Sequence, residues 1–171
     1  MSSERLPGKV MRLVAGRPML AYLLDRLDRI RGNQRVIVAT SLECIDDPIN
    51  SYCTARHLEC SRGSLNDVAG RVAQVLDETD ADAFVRVSAD SPLLDPALVE
   101  RAQDLFLSTG AELVTNVLKR TYPKGMSVEV VDANAFRRAY TKMTDPRDKE
   151  HVTRIFYREP HCWSITAFNS G

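Results

Sequence analysis

The chain lacks a net charge, a long apolar run and a signal segment, three features that would each point to a class of function. Lys plus Arg and Asp plus Glu both number 23 among 171 residues, so no net charge favours nucleic acid or an anionic membrane. No apolar run approaches the roughly 18 residues that cross a bilayer. The N-terminus also lacks the apolar core of a signal peptide. These absences predict a cytoplasmic protein with no nucleic-acid or membrane partner.

Metal and redox motifs are also missing. The four cysteines form no CxxC pair, and none has zinc-like spacing with the three histidines. We interpret them as free, partly buried thiols in a reducing compartment, and we expect no structural metal. The length, with 44% hydrophobic and 27% charged residues, predicts a single globular domain over residues 1–171.

What the sequence does have is an alternation of strand-like and helix-like segments. Strands are predicted at 35–40, 58–60, 83–87, 112–116, 126–131 and 162–168. Helices are predicted at 18–30, 47–57, 67–78, 95–110, 132–143 and 145–159. Asp67 and Asp95 are N-cap candidates, and Gly110 ends a helix. This order and the short connections indicate an α/β sandwich with a largely parallel central sheet.

Ligands of such sheets bind beyond the carboxyl ends of the strands, where four loops carry suitable residues. The first loop, SSERLPGK at 2–9, combines small residues with the cations Arg5 and Lys9 but lacks the Walker A spacing. The second contains Thr40 and Ser41, and the third is the turn SRGSLND at 61–67. A solvated terminus, helix caps and simple turns explain these three loops equally well.

The fourth loop, VRVSADSPLLDP at 85–96, contains Asp90 directly after an apolar strand. A carboxylate at this place suits Mg²⁺ held against phosphate oxygens, although carboxylates also end strands in ordinary turns.

Taken together and in order, these stretches resemble the cytidylyltransferases of the spore-coat polysaccharide biosynthesis type, which are relatives of the CMP-KDO and CMP-sialic acid synthetases. The matching stretches are SSERLPGKV, VIVATS, RGSLNDVAGR, VRVSADSPLLDP, TNVLKRTYPKGMSVEVVD and KEHVT. The resemblance implies a three-layer, Rossmann-like nucleotide-diphospho-sugar transferase fold with a mostly parallel central sheet. It also implies transfer of CMP from CTP to an acidic sugar, with release of pyrophosphate, for surface polysaccharide or glycan biosynthesis. Mg²⁺ is the implied cofactor, and a homodimer is possible because family members are often dimers.

The resemblance further implies roles for individual residues. The catalytic groups are Arg5, Lys9 and Asp90, of which Asp90 also binds the metal. The nucleotide-binding residues are Ser2, Ser3, Gly8, Thr40, Ser41, Arg62, Gly63 and Ser64. The residues that face the acceptor sugar are Tyr122, Pro123, Lys124, Gly125, Glu129, Glu150 and His151.

The sequence departs from the family pattern at several places. Ser127 stands where many relatives have Asp, and Arg154 replaces a Pro after EHVT, which would permit a longer helix. The family pattern also has a strand before the first loop and a segment with a second metal-binding Asp after the last strand. We expect the chain to lack both, and therefore to show reduced or absent turnover. Two alternatives stay open: a degenerate nucleotide-binding or oligomerisation module, and a nucleotidyltransferase of the same fold that uses another nucleotide.

Overall fold

The computed structural model describes residues 8–32 and 34–170, so Ser2, Ser3 and Arg5 lie outside the described residues. The strands are β1 (Leu13–Val14), β2 (Arg17–Pro18), β3 (Ile37–Ser41), β4 (Glu59–Gly63), β5 (Ala83–Arg86), β6 (Leu113–Thr115), β7 (Glu129–Asp132) and β8 (Ile165–Ala167). The helices are α1 (Met19–Leu27), α2 (Asp47–Ala55), α3 (Val68–Thr79), α4 (Pro96–Thr109), α5 (Ala133–Thr141), α6 (Pro146–Glu150) and α7 (Arg154–Arg158). None of the helices in the described part of the chain is both long and apolar enough to cross a membrane.

Helix boundaries follow the local chemistry of the sequence. The Asp67 carboxylate accepts a hydrogen bond from the Gly70 N–H at 2.6 Å and caps α3. The Asp95 carboxylate caps α4 in the same way, and Gly110 ends that helix in the left-handed conformation at φ 62°. These three predictions are confirmed because caps depend on residues close in sequence.

The strands form a short hairpin, β1 with β2, and two larger groups. Strands β3 and β4 pair in parallel, with Ser41 opposite Gly63 at their carboxyl ends. The other group has the order β5-β7-β6-β8, in which β7 runs antiparallel to both of its neighbours and β6 is parallel to β8. Three of these four strands therefore point the same way, and β7 is the exception to the parallel direction. Within residues 8–32 and 34–170, no strand joins β3 to β5.

Alternate side chains of the four-stranded sheet face two different apolar clusters. Leu113 and Val131, paired across β6 and β7, pack with residues of α3, α5 and α7. The next pair in register, Val114 and Val130, packs with residues of α1 and α4. Helices thus cover both faces of the sheet, as expected for a three-layer α/β fold.

The predicted helix over 145–159 is wrong in one respect, since it is interrupted. Helix α6 ends at Glu150 and α7 begins at Arg154, with the buried Val152 between them at φ 43°. The Thr153 N–H donates to the His151 carbonyl at 2.5 Å and closes a tight turn around Val152. A β-branched residue at positive φ is strained, so surrounding contacts must hold this turn. Arg154 therefore begins a second helix instead of extending the first.

Candidate functional site

The candidate site is centred on an ion pair between Lys9 and Asp90, which lie 81 residues apart in sequence. Lys9 follows Gly8, whose φ of 65° directs the chain into a short 3₁₀ turn. Asp90 lies in the turn after β5. The Lys9 ammonium donates to Asp90 Oδ2, and the two side chains remain 28% and 32% exposed. The fold thus brings together two predicted catalytic residues while leaving both accessible.

The carboxylate of Asp90 is held in its ionised form. Partial burial opposes ionisation, but hydrogen bonds from Lys9 and Ser88 outweigh that effect and lower the pKa of Asp90. An anionic oxygen at a strand end is a suitable ligand for Mg²⁺, which commonly binds one or two carboxylates together with phosphate oxygens. In the described part of the chain, no group of three or more His, Cys, Asp and Glu could hold a metal ion. The residues therefore fit a cation shared with a phosphate, and they do not form a complete cage.

A second carboxylate at this edge, Asp46, is missed by the sequence analysis. Its Oδ2 accepts hydrogen bonds from Thr40 Oγ1 at 2.8 Å, Ser41 Oγ at 2.6 Å and the Ser41 N–H at 3.0 Å. Asp46 is only 2% exposed. Burial opposes its ionisation, but hydrogen bonds, those from Ser41 and Thr40 among them, lower its pKa well below the usual range. The hydroxyls of two predicted nucleotide ligands are thus directed into the protein, and their contact with a nucleotide stays a prediction.

Arg62 also makes structural contacts at this edge. Its Nε donates to the Ser41 carbonyl at 2.8 Å, and its Nη2 donates to the Glu43 carbonyl at 3.2 Å and to Asp47 Oδ1 at 2.8 Å. These bonds fix the loop after β3 against the end of β4. Arg62 therefore shapes the predicted nucleotide pocket, and its direct contact with a ligand stays a prediction.

The two predicted residues after Arg62 serve the start of α3. A Cβ on Gly63 would lie 2.8 Å from Arg71 Cγ, so glycine is needed for the buried Arg71 side chain to pass. Ser64 Oγ accepts a hydrogen bond from the Asp67 N–H at 3.2 Å. Arg71 is a second residue missed by the sequence analysis, since its place on a predicted amphipathic helix gave no signal of burial.

The Asp90 turn and the end of β3 approach each other closely. A small cavity of about 20 Å³ is lined by Val10, Val38, Thr40, Ala89 and their neighbours. The residue after Lys9, the strand that ends in Ser41 and the residue before Asp90 therefore share one enclosure. Three of the four predicted ligand loops therefore lie side by side.

The loop predicted to face the acceptor sugar is closed at its base by Asn116. This buried side chain donates to the Met126 carbonyl at 2.8 Å and accepts from the Val128 N–H at 2.9 Å. Within the loop, Pro123 and Lys124 are exposed. The clamp of Asn116 fixes the two ends of the loop and leaves its tip open to solvent.

The loop also lies against the Asp90 turn. Gly125 adopts φ 89°, and a Cβ built on it would lie 3.9 Å from Ser91 Oγ. On the other side, the Tyr122 hydroxyl donates to the Asn169 carbonyl and accepts from Arg101, each at 3.0 Å. The predicted acceptor loop thus contacts the turn that carries Asp90, at the residue after Asp90.

Glu129 faces the interior of the protein and is 2% exposed. Its carboxylate accepts hydrogen bonds from Arg86 at 2.6 Å, from Thr153 Oγ1 at 2.8 Å and from the Tyr157 hydroxyl. Burial and the charge of Glu129 raise the pKa of Tyr157, so the phenol keeps its proton. The network ties β5 and β7 to the turn between α6 and α7, and direct contact of Glu129 with an acceptor stays a prediction.

Glu150 and His151, the last two predicted acceptor residues, are exposed beside the strained turn at Val152. Thr153, next in the chain, is anchored to Glu129. The buried network therefore holds the segment that presents His151, although no described hydrogen bond joins Glu150 or His151 to the Lys9–Asp90 pair.

Comparison with known proteins decides the family. A family model described as cytidylyltransferase matches residues 1–165. The chain belongs to the cytidylyltransferase family.

Curated relatives of this cytidylyltransferase chain share its sequence at moderate identity. The spore coat polysaccharide biosynthesis protein SpsF of Bacillus subtilis is 27% identical over 170 residues, covering 96% of this chain and 70% of SpsF. A 3-deoxy-manno-octulosonate cytidylyltransferase of Hydrogenovibrio crunogenus is 26% identical over 177 residues, with the same two shares. An uncharacterised protein of Methanocaldococcus jannaschii is 28% identical over 163 residues, and the match spans 95% of this chain and 66% of that relative.

Solved structures confirm the predicted fold class. A cytidylyltransferase from Leptospira borgpetersenii has a TM-score of 0.94 at 27% identity, covering 99% of this chain and 72% of the other. A CMP:2-keto-3-deoxy-manno-octonic acid synthetase complexed with CTP has a TM-score of 0.73 at 15% identity, covering 99% and 86%. The second likeness concerns the fold alone.

Proposed function

We propose that this chain carries the nucleotidyl-transfer site of an enzyme that moves CMP from CTP to an acidic sugar and releases pyrophosphate, for surface polysaccharide or glycan biosynthesis. The observation that carries the proposal is the partly exposed Lys9–Asp90 pair beyond the carboxyl end of β5, in a chain whose family match spans residues 1–165.

The proposed reaction needs positioned charge and no covalent nucleophile. A sugar hydroxyl oxygen forms a bond to the α-phosphorus of CTP, the bond to the bridging oxygen breaks, and pyrophosphate leaves with the electron pair while the hydroxyl proton passes to solvent. Negative charge grows on the leaving oxygen, where the Lys9 ammonium stabilises it. Lys9 therefore exchanges the Asp90 carboxylate for a phosphate oxygen when the nucleotide binds.

Asp90 is the residue that would hold Mg²⁺ in this scheme. Once Lys9 has turned to the phosphates, the ionised carboxylate of Asp90 is left without its cation and is free to bind a metal ion. Mg²⁺, when bound, would neutralise charge on the phosphate oxygens.

Positive charge on the neighbouring loop supports an acidic acceptor. Lys119, Arg120 and Lys124 are exposed between β6 and β7, and none of them forms an ion pair with a described residue. Three cations without a described ion-pair partner, on the loop that meets the Asp90 turn at Gly125, favour a carboxylated sugar over a neutral one. The acceptor proposed is of the nonulosonate or 3-deoxy-manno-octulosonate type.

The proposal is tested with purified chain, Mg²⁺, CTP and a panel of sugars that includes 3-deoxy-manno-octulosonate and a neutral hexose. We expect slow pyrophosphate release that requires both CTP and an acidic sugar. Thermal shifts with CTP, UTP, GTP and ATP provide the binding control, and CTP should stabilise the chain most. Stabilisation by CTP without pyrophosphate release from any acidic sugar would replace the enzyme with a nucleotide-binding module. A larger shift with another nucleotide would overturn the assignment to CTP.

A further inference from the structure

Arg71 is a buried cation whose side chain forms no hydrogen bond with the residues that the structure describes. It lies in the first turn of α3, and only 6% of it is exposed. Within residues 8–32 and 34–170, its fully buried Nε has no hydrogen-bond partner and its guanidinium forms no ion pair. Leaving a charged donor buried and unbonded is costly, so an orphan of this kind needs an explanation.

The absence of a side chain at Gly63 leaves space for the Arg71 side chain in the interior. Gly63, at the carboxyl end of β4, is the point where a Cβ would strike the Arg71 stem at 2.8 Å. Ser41, at the end of β3, lies opposite Gly63 in the sheet register. The aliphatic stem of Arg71 therefore packs against the edge at which the predicted nucleotide loops gather.

Two carboxylates near Arg71 offset its charge, although they accept no described hydrogen bond from its guanidinium. Burial lowers the pKa of Arg71, while the nearby carboxylates of Asp46 and Asp67 oppose that effect. Both carboxylates direct oxygens to other donors: Asp46 to Thr40 and Ser41, and Asp67 to the Gly70 N–H, the Tyr140 hydroxyl and Lys149. What Arg71 lacks is an acceptor, because a counter-charge is already close by.

We infer that Arg71 is the residue that recognises the nucleotide base, donating to a neutral carbonyl oxygen such as O2 of a pyrimidine. A phosphate fits less well, because two carboxylates already balance the guanidinium and would repel an anion. The phosphates belong at Lys9, whose neighbour Val10 lines the same small cavity as Thr40. Thr40 in turn donates a hydrogen bond to Asp46, whose charge acts on Arg71. These contacts connect the phosphate end of the proposed site to its base end. This inference rests on the proposed function, since it assumes that a nucleotide binds at this edge.

The test compares calorimetric binding of CTP, ATP and inorganic tripolyphosphate, all with Mg²⁺, to the wild-type chain and to Arg71→Met. We expect Arg71→Met to weaken CTP binding at least about 10-fold, the usual effect of losing a hydrogen bond from a charged donor. Tripolyphosphate, which has no base, should bind within about 2-fold of wild type, and so should ATP, because adenine has no carbonyl group. Arg137→Met is the matched control, since that arginine pairs with Asp77 on the surface, and it should leave all three affinities unchanged.

Further outcomes separate the two proposals. If the wild-type chain binds tripolyphosphate but no CTP, the proposed function fails. If it binds CTP and Arg71→Met binds CTP equally well, only the role of Arg71 is overturned. Equal weakening of CTP and tripolyphosphate would make Arg71 a phosphate ligand and would also overturn the inference.

A second variant guards against a folding defect. Unliganded Arg71→Met should melt at or above the wild-type temperature, because an unbonded buried charge is removed. Should it fail to fold, Gly63→Ala keeps the arginine but pushes its stem aside. That variant should also weaken CTP binding with little effect on tripolyphosphate, and wild-type affinity for CTP would contradict the inference.

Discussion

Asp46 and Asp90 each lie in the loop after a strand, β3 and β5, and each has a lowered pKa, yet their surroundings differ. Asp46 is buried and bonded by two hydroxyls and a backbone N–H. Asp90 is 32% exposed, and its charged partner is one flexible lysine. Donors fixed in the fold cannot leave, whereas a lysine can turn to another anion. The same residue type therefore stabilises the loop after β3 and remains exchangeable after β5.

The largest effect that we expect from this difference is a loss of catalytic turnover in the Asp90→Asn variant. Loss of the carboxylate removes the proposed metal ligand, so pyrophosphate release should fall by at least about 100-fold. The Mg²⁺-dependent part of CTP binding should disappear, while the free energy of unfolding in urea changes by less than about 1 kcal/mol, because the ion pair is partly exposed. Turnover within a few fold of wild type would show that Asp90 is as structural as Asp46.

Replacing Asp46 should produce the opposite result. Asp46→Ala leaves the buried Thr40 and Ser41 donors unbonded and should lower the free energy of unfolding by about 2 to 4 kcal/mol. Urea unfolding followed by circular dichroism measures this loss. A change below about 1 kcal/mol would mean that the buried bonds contribute little and that the contrast with Asp90 is wrong.

Protonation of Asp46 and of Asp90 at low pH should lower the stability of the fold, and protonation of Asp46 should lower it more. A folded-state pKa below the unfolded value of about 3.9 gives stability that is present above that value and lost as the pH falls through the folded pKa. Wild type should therefore lose stability below about pH 4. Asp46→Asn should remove more of this acid-induced loss than Asp90→Asn, because water screens the partly exposed Asp90 pair more than it screens the buried Asp46. Urea unfolding between pH 2.5 and 6 tests the order, and equal slopes for both variants would contradict it.

The smallest effect belongs to Asp47, the neighbour of Asp46. Its side chain is 56% exposed and pairs with Arg62 at 2.8 Å. Asp47→Asn should change the free energy of unfolding by no more than about 0.5 kcal/mol, as is usual for an exposed ion pair. A loss as large as that of Asp46→Ala would show that adjacency in sequence, and not burial, sets the cost.

Local chemistry explains which parts of the fold are readable from the sequence. The caps at Asp67 and Asp95 and the helix stop at Gly110 are confirmed because each depends on residues within one turn. The interruption at Val152 was not predictable in this way. The sequence there favours a continuous helix, and the strained turn is held by Thr153, which bonds Glu129 in a distant strand.

The candidate site shows the same division. The resemblance to the family placed Lys9 and Asp90 at one site, and the structure brings them into contact. Asp46 and Arg71 escaped notice because burial of a polar side chain is decided by tertiary packing, which leaves no periodic signal in the sequence. The roles of Ser2, Ser3 and Arg5 stay predictions, because these residues lie outside the described part of the chain. The cytoplasmic location and the homodimer also stay predictions.

The separation of β3 and β4 from the four-stranded sheet has a consequence for motion. No described backbone ladder joins the two groups, and α1 links them by side-chain packing, with Leu20 in one apolar cluster and Leu23 in another. We therefore expect the β3–β4 unit to open locally more readily than the larger sheet. A nucleotide bound by Lys9 at its phosphates and by Arg71 at its base would connect the two groups of strands. CTP should therefore slow amide hydrogen exchange in β3 and β4 more than in β6 and β7.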